Sequence, residues 1–183
     1  MSGERQVKIL FDERAIAERT EALACEIAAA KPKDLLVVAV LKGSFMFAAD
    51  LLRALHRVGL EPQVEFFHLS SYLSGTVSSG TIKILRDIES SVRDRDVLLV
   101  DDILESGRTL AFAKDLLTAR GARRVLVCVM LEKPGKRAVG VSADFVGFVC
   151  PDVFVVGYGM DVAHSYRELP YIGRVVTAED VAA

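Results

Sequence analysis

Cysteine, histidine, excess charge of either sign and long apolar runs are all scarce in this 183-residue chain, and each scarcity removes a class of function. The three cysteines, Cys25, Cys128 and Cys150, are odd in number and far apart, which argues against a disulfide framework or a thiolate metal cluster. Their apolar, helix-like or strand-like surroundings predict reduced, buried thiols. His56, His68 and His164 lack ligand spacing and cysteine neighbours, so no zinc centre is expected, although His164 sits among polar residues. With 23 basic against 25 acidic residues the net charge is −2, which gives no global electrostatic case for nucleic acid or an anionic membrane as partner. The apolar runs Leu35–Leu41 and Val125–Leu131 are too short to span a bilayer, and MSGERQVKILFDERAI lacks the apolar region of a signal peptide. A cytoplasmic location follows as the expectation. Neither G-x-x-x-x-G-K-[ST] nor G-x-G-x-x-G occurs at the phosphate-like turn described next, and there is no internal repeat or long linker.

What is present is apolar material and one dense polar stretch. Hydrophobic residues make up 51% of the chain, enough for one sizeable core and one domain. In VLLVDDILESGRTL, Val97 to Leu110, the run Val97–Val100 has the β-branched, unbroken character of a strand buried on both faces of a parallel sheet. Asp101 and Asp102 would desolvate charge if they continued it, so they are expected at its carboxyl end, where open α/β sheets bind ligands. Glu105, Ser106, Gly107, Arg108 and Thr109 then form a small polar turn before the helical pattern Leu110, Ala113, Leu116, Leu117. Orphan backbone amides at a helix entrance, a glycine for close approach and two hydroxyls suit a phosphate. Carboxylates repel a bare phosphate but accept hydrogen bonds from a vicinal diol, so ribose 5-phosphate satisfies both halves of the stretch.

Along the rest of the chain the pattern alternates. Val7–Leu10 reads as a strand, and Asp12 as the cap of a helix running to about Ala30. Leu35–Leu41 reads as a buried strand, Ser44 as the cap of a helix from Phe45 to about Val58, and Val64–Leu69 as the next strand. Ser70–Gly80 is rich in Ser and Gly and reads as a mobile loop, with Ile82–Leu85 returning as a strand. A helix to about Arg120, a stop at Gly121 and a strand Val125–Leu131 follow, and Arg120, Arg123 and Arg124 read as a solvated basic helix end. From Lys133 onward, short runs broken by Pro134, Pro151, Gly157 and Gly159 suggest a small lobe against the sheet's carboxyl edge. LKGS, Leu41 to Ser44, repeats the arrangement of strand end, glycine and helix start with a cation in place of the acids, which implies a second anion seat.

Through Leu41–Ser44, Ser70–Asp87, Val97–Leu110, Leu131–Pro134 and DFVGFVCPDVFVVGYGMD (Asp144–Asp161), the chain resembles the type I phosphoribosyltransferases, specifically their bacterial hypoxanthine-guanine branch. The resemblance implies an α/β fold with a central, mostly parallel twisted sheet flanked by helices. A small C-terminal hood lies over the sheet's carboxyl edge. Residues 1–183 would form one domain, with a core at about 35–131, a hood from about 133–183 joined by the N-terminal segment, and a mobile loop at about 70–81. The implied reaction moves ribose 5-phosphate from phosphoribosyl pyrophosphate to N9 of hypoxanthine or guanine with one or two magnesium ions, and the implied assembly is a homodimer or homotetramer.

By the same resemblance, Asp101 and Asp102 match acids on the ribose hydroxyls, and Glu105 to Thr109 match the 5-phosphate cradle. Lys42, Gly43 and Arg167 match the pyrophosphate site, where the Leu41–Lys42 bond can be cis. Lys133 matches the donor to the purine 6-oxo group, which favours hypoxanthine or guanine over adenine because adenine presents a donor there. Phe154 matches the ring stacked on the base, although strand pattern alone reads it as core. Val155 matches a backbone partner of the purine edge, and Asp161 an acid linked to the base and to magnesium. Ser71 and Tyr72 match residues of the closing loop. Glu105 also matches the base for the purine N7 proton, but stands where Asp is usual, while Asp101 stands where Glu is common. A nucleotide- and RNA-binding regulator and a pyrimidine phosphoribosyltransferase remain as the other readings of the VDD turn.

Overall fold

The structure, a computed structural model, describes residues 6–71 and 82–176, the Ser71 side chain excepted. Six strands form the main sheet: β2 (Leu36–Leu41), β3 (Gln63–Ser71), β4 (Ile82–Arg86), β5 (Asp96–Leu104), β6 (Arg124–Glu132) and β7 (Phe145–Val149). Their order is β4-β3-β2-β5-β6-β7, parallel throughout except for the antiparallel β3–β4 pair. The unbroken apolar runs of β2, β5 and β6 are what a sheet covered on both faces requires. Helices α1 (Glu13–Ala29) and α2 (Phe45–Arg57) bury Leu23, Ile27, Phe47, Leu51 and Leu55 on one face. Helix α3 (Arg108–Ala119) buries Leu110, Ala113 and Leu117 on the other.

From β2 the chain moves outward to β3, and only later places β5 on the other flank of β2. The order therefore reverses between β2 and β5, and a crevice opens beyond their carboxyl ends. Both polar turns singled out in the sequence follow these two strands, so topology brings them together. A second, three-stranded sheet joins the two ends of the described chain: β1 (Val7–Phe11) pairs antiparallel with β9 (Ile172–Val175), which pairs with β8 (Val155–Val156). Phe11 stacks on Phe148 with ring centroids 4.2 Å apart and ties this sheet to β7.

Asp12 caps α1 as expected, its Oδ1 accepting from the Ala15 N–H at 2.8 Å. Other local expectations fail for tertiary reasons. Ser44 makes no cap; its buried hydroxyl donates to the Val40 carbonyl at 2.6 Å and fastens the start of α2 to β2. The predicted solvated arginine cluster is ion-paired: Arg120 holds Asp87, and Arg123 and Arg124 both reach Asp96. Cys128 and Cys150 are buried, but Cys25 is exposed on α1. No described helix is long and apolar enough to cross a membrane.

Candidate active site

Strand β5 does not stop at Val100. It runs through both acids to Leu104, with Asp101 still paired in register with Val129 of β6. The expectation that charge would end the strand is corrected by the ladder itself, which carries both acids. Asp101 is 7% exposed, and burial, then repulsion from Asp102, pushes its carboxyl well above the ordinary aspartate range. Burial raises Asp102 as well, against the pull of Asp101, the Ile103 N–H and Arg167. The Asp102 N–H donates to Asp101 Oδ1 at 3.0 Å. The two carboxyls lie side by side, both pushed above the ordinary aspartate range, and both line the pocket at the end of the strand.

After β5 the chain turns at Gly107, which adopts φ +80° and starts α3. A side chain there would strain the backbone and also collide with Val141 and Arg137. A pocket of about 270 Å³ opens over this turn, lined by Leu41, Gly43, Asp101, Asp102, Glu105, Ser106, Gly107 and Thr109 among others. Arg108 is exposed beside it, its N–H on Ser106 Oγ at 3.4 Å. From the neighbouring turn, Gly43 lies so close to Asp102 that a Cβ would overlap the carboxylate. The Leu41–Lys42 peptide is cis. Lys42 itself is exposed; the pocket wall here is formed by Leu41 and Gly43.

Next to this pocket lies a second, of about 450 Å³, lined by Asp102, Ile103, Glu105, Lys133, Lys136, Asp152, Val153, Phe154, Val155, Met160 and Asp161. The two share Asp102, Ile103 and Glu105. Phe154 is 56% exposed, which rules out the core reading of this ring and leaves its face open to a flat ligand. Lys133 is buried, and its Nζ lies 3.6 Å from Glu105 Oε1. Asp161 is held from two sides: Arg167 reaches Oδ1 at 2.6 Å, and the His164 N–H donates to Oδ2 at 2.7 Å. Arg167 also donates to the Gly159 carbonyl at 2.5 Å, and Gly159 packs so tightly on the Gly43 carbonyl that a Cβ would collide with it. Hood and pyrophosphate-like turn are thus in contact through two glycines.

Sequence reasoning missed the segment that joins the two pockets. Between β6 and β7, the Lys133 N–H donates to Leu104 O at 3.0 Å, Arg137 to Glu105 O at 3.1 Å and the Ala138 N–H to Ser106 O at 2.9 Å. This segment runs along the phosphate turn and fixes it from outside. The signal was present in the glycine and adjacent cations of KPGKR, but only the fold shows what they grip. Ser71 ends β3, while Tyr72 and the rest of the expected closing loop to residue 81 lie outside the described residues. A further cleft of about 410 Å³ lies between α1, α2 and residues 168–170; its arginines, Arg53 and Arg57, already pair with Asp50 and Glu21.

Fold and site together define a type I phosphoribosyltransferase. The phosphoribosyl transferase domain model matches residues 6–163, and the chain belongs to that family. Over 167 residues, 91% of its length, it is 46% identical to the bifunctional protein TilS/HprT of Listeria innocua, of which it spans only 25%. It is 44% identical over 147 residues to the hypoxanthine phosphoribosyltransferase of Escherichia coli, covering 80% of this chain and 81% of that protein. A solved structure of the hypoxanthine phosphoribosyl transferase of Trypanosoma cruzi matches with a TM-score of 0.90 at 36% identity, covering 100% of both chains.

Proposed function

We propose that residues 1–183 form one phosphoribosyltransferase domain working in purine salvage. It moves the 5-phosphoribosyl group from phosphoribosyl pyrophosphate to N9 of hypoxanthine or guanine and releases pyrophosphate. The observation that carries this reading is the wall of Asp102, Ile103 and Glu105 shared by the two pockets. One pocket has the amide-rich turn a phosphate needs, and the other has an open aromatic face and a buried lysine. A sugar between them would meet the acid pair with its hydroxyls and a flat base with its anomeric carbon.

Breaking the bond to pyrophosphate leaves an oxocarbenium-like ribose and a more negative leaving group, so catalysis rests on holding both fragments where charge develops. In this assignment Asp101 and Asp102 take the ribose hydroxyls, and the Glu105–Thr109 turn takes the 5-phosphate. Gly43, Lys42 and Arg167 take pyrophosphate. Lys133 donates to the purine 6-oxo group, Phe154 stacks on the ring, and the Val155 backbone meets its edge. Glu105 accepts the N7 proton. An adenine amine facing Lys133 would leave two donors opposed, and buried unpaired donors cost about 1–3 kcal/mol each.

Magnesium fits these residues. Asp161, on the wall of the base pocket, offers hard carboxylate oxygens of the kind magnesium takes alongside substrate phosphates. Asp161 would hold it together with ligand oxygens, and when bound it would supply charge neutralisation for departing pyrophosphate. The three free cysteines suit a reducing cytoplasm. We also infer association as a homodimer or homotetramer; Val64, Phe66 and Leu85 are 38%, 41% and 51% exposed, apolar area of the kind interfaces cover.

The test is product formation from phosphoribosyl pyrophosphate and magnesium with hypoxanthine, guanine, xanthine, adenine and uracil, wild type beside Lys133→Ala. Inosine and guanosine monophosphates are expected, with kcat/KM for the 6-oxopurines falling about 100-fold in the variant, as expected for loss of a buried charged donor. No nucleotide from any purine would sink the reading.

A further inference from the structure

Glu105 sits within a chain of charges on the wall of the base pocket. Glu105 Oε1 lies 3.6 Å from Lys133 Nζ and 3.7 Å from Lys136 Nζ. Lys136 in turn binds Asp152 Oδ1 at 2.6 Å, two residues before Phe154. The sequence Lys133, Glu105, Lys136, Asp152 therefore crosses the mouth of the base pocket, and all four residues line it. Of the four, only Lys133 is deeply buried, while Glu105 is 40% and Lys136 48% exposed at the side chain.

We propose that Lys136 is a positioning residue for Glu105 that frees Lys133 to read the base. This rests on the phosphoribosyl-transfer reading above. Without Lys136, the long Glu105 side chain has one cation within 4 Å, Lys133, and a full ion pair there would occupy the ammonium that must donate to the purine 6-oxo group. Lys136 shares the same carboxylate oxygen from the outer side. It is itself anchored by Asp152, so Glu105 is held between two cations instead of collapsing onto one. The Arg137 bond to the Glu105 carbonyl fixes the backbone, which leaves side-chain position as the variable that Lys136 sets.

The consequence is selective. Lys136 touches the base pocket and does not line the phosphate pocket, so its removal should weaken the purine and spare phosphoribosyl pyrophosphate. In Lys136→Met, KM for hypoxanthine should rise about fivefold, within the coupling expected of one ion-pair network, while KM for phosphoribosyl pyrophosphate stays within about twofold. Lys136→Arg should restore the wild-type value. In a Glu105→Gln background, Lys136→Met should have no further effect, because the shared carboxylate is gone. Additive effects, or an unchanged purine KM in Lys136→Met, would overturn the proposal.

A readout without turnover separates this from the activity itself. In ligand-free protein with ¹³C-methylated lysines, the Lys133 signal, assigned through Lys133→Arg, should shift on Lys136→Met in the wild-type background and not in Glu105→Gln. An immobile Lys133 signal refutes the charge chain even in an enzyme that turns over. If the wild type makes no nucleotide while the Lys133 signal moves, the transfer reading fails and the chain stands.

Discussion

At the amino end of β5, Asp96 is fully buried and surrounded by compensation: Arg123 at 2.5 Å, Arg124 at 2.9 Å and the Lys33 N–H at 2.8 Å. At the carboxyl end of the same strand, Asp101 is buried nearly as deeply beside another acid. Burial would raise all these carboxyls. At Asp96 the Lys33 amide and the two arginines outweigh it and hold the group below the usual aspartate range, whereas at Asp101 burial and Asp102 act together and push it up. The first arrangement gathers its three partners on Oδ2 and leaves the buried Oδ1 without a hydrogen bond, but two arginines balance its charge. The second sets two acids side by side at the pocket wall, and opposite shifts within one strand are what a structural acid and the proposed ribose-binding pair would show.

The sharpest way to break that comparison is to neutralise the carboxyl end. Asp101→Asn with Asp102→Asn keeps shape and removes the acids that would accept ribose hydroxyls. Two hydrogen bonds involving charged groups, at about 1.5–3 kcal/mol each, correspond to a drop in kcat/KM of about 1000-fold. The melting temperature should hold or rise, because a buried acid pair without a counter-charge is removed. A stability loss as large as the activity loss would make Asp101 and Asp102 structural after all.

Asp96→Asn is the converse, with an effect on folding instead of chemistry. Breaking a buried pair costs about 3–5 kcal/mol, and because both arginines are over one-third exposed and can turn to water, the lower end applies, about 3 kcal/mol. Urea denaturation measures it. Activity per folded molecule should stay near wild type, since Asp96 lines neither the phosphate nor the base pocket. A selective fall in kcat with unchanged stability would contradict the division between the two ends.

The contrast also explains what was legible in advance. Apolar runs, caps and turns are local, so the alternation of strands and helices, the VDD turn and the Asp12 cap could be read from neighbouring residues. Asp96 looked like any strand-start acid, because its arginines lie 27 and 28 residues away and meet it only when β5 and β6 pair. Strand β5 runs four residues past its apolar run for a related reason: Asp101 pairs with Val129 of β6, and that long-range ladder carries the acids along with it. Lys136 was one more surface cation until the fold placed it 3.7 Å from Glu105.

The smallest effect is a difference in slope with pH, and it carries opposite signs at the two ends. Asp96 has a folded value below its unfolded value of about 3.9, so the unfolded chain binds the extra proton in that interval. Its contribution is fully present above about pH 4 and is lost as pH falls through the folded value. Asp101 is raised, so between about pH 4 and its folded value the native state binds the extra proton. Its contribution is present below the unfolded value and is lost as pH rises. Each group can tilt stability by at most about 1.4 kcal/mol per pH unit inside its own interval. Urea midpoints from pH 3 to 7 should therefore show Asp96→Asn flattening the acid side of the wild-type curve, and Asp101→Asn flattening the decline above pH 4. Curves that stay parallel to wild type in both variants would mean that the two ends of β5 titrate alike, and the distinction between an acid balanced by arginines and a buried acid pair would have to be abandoned.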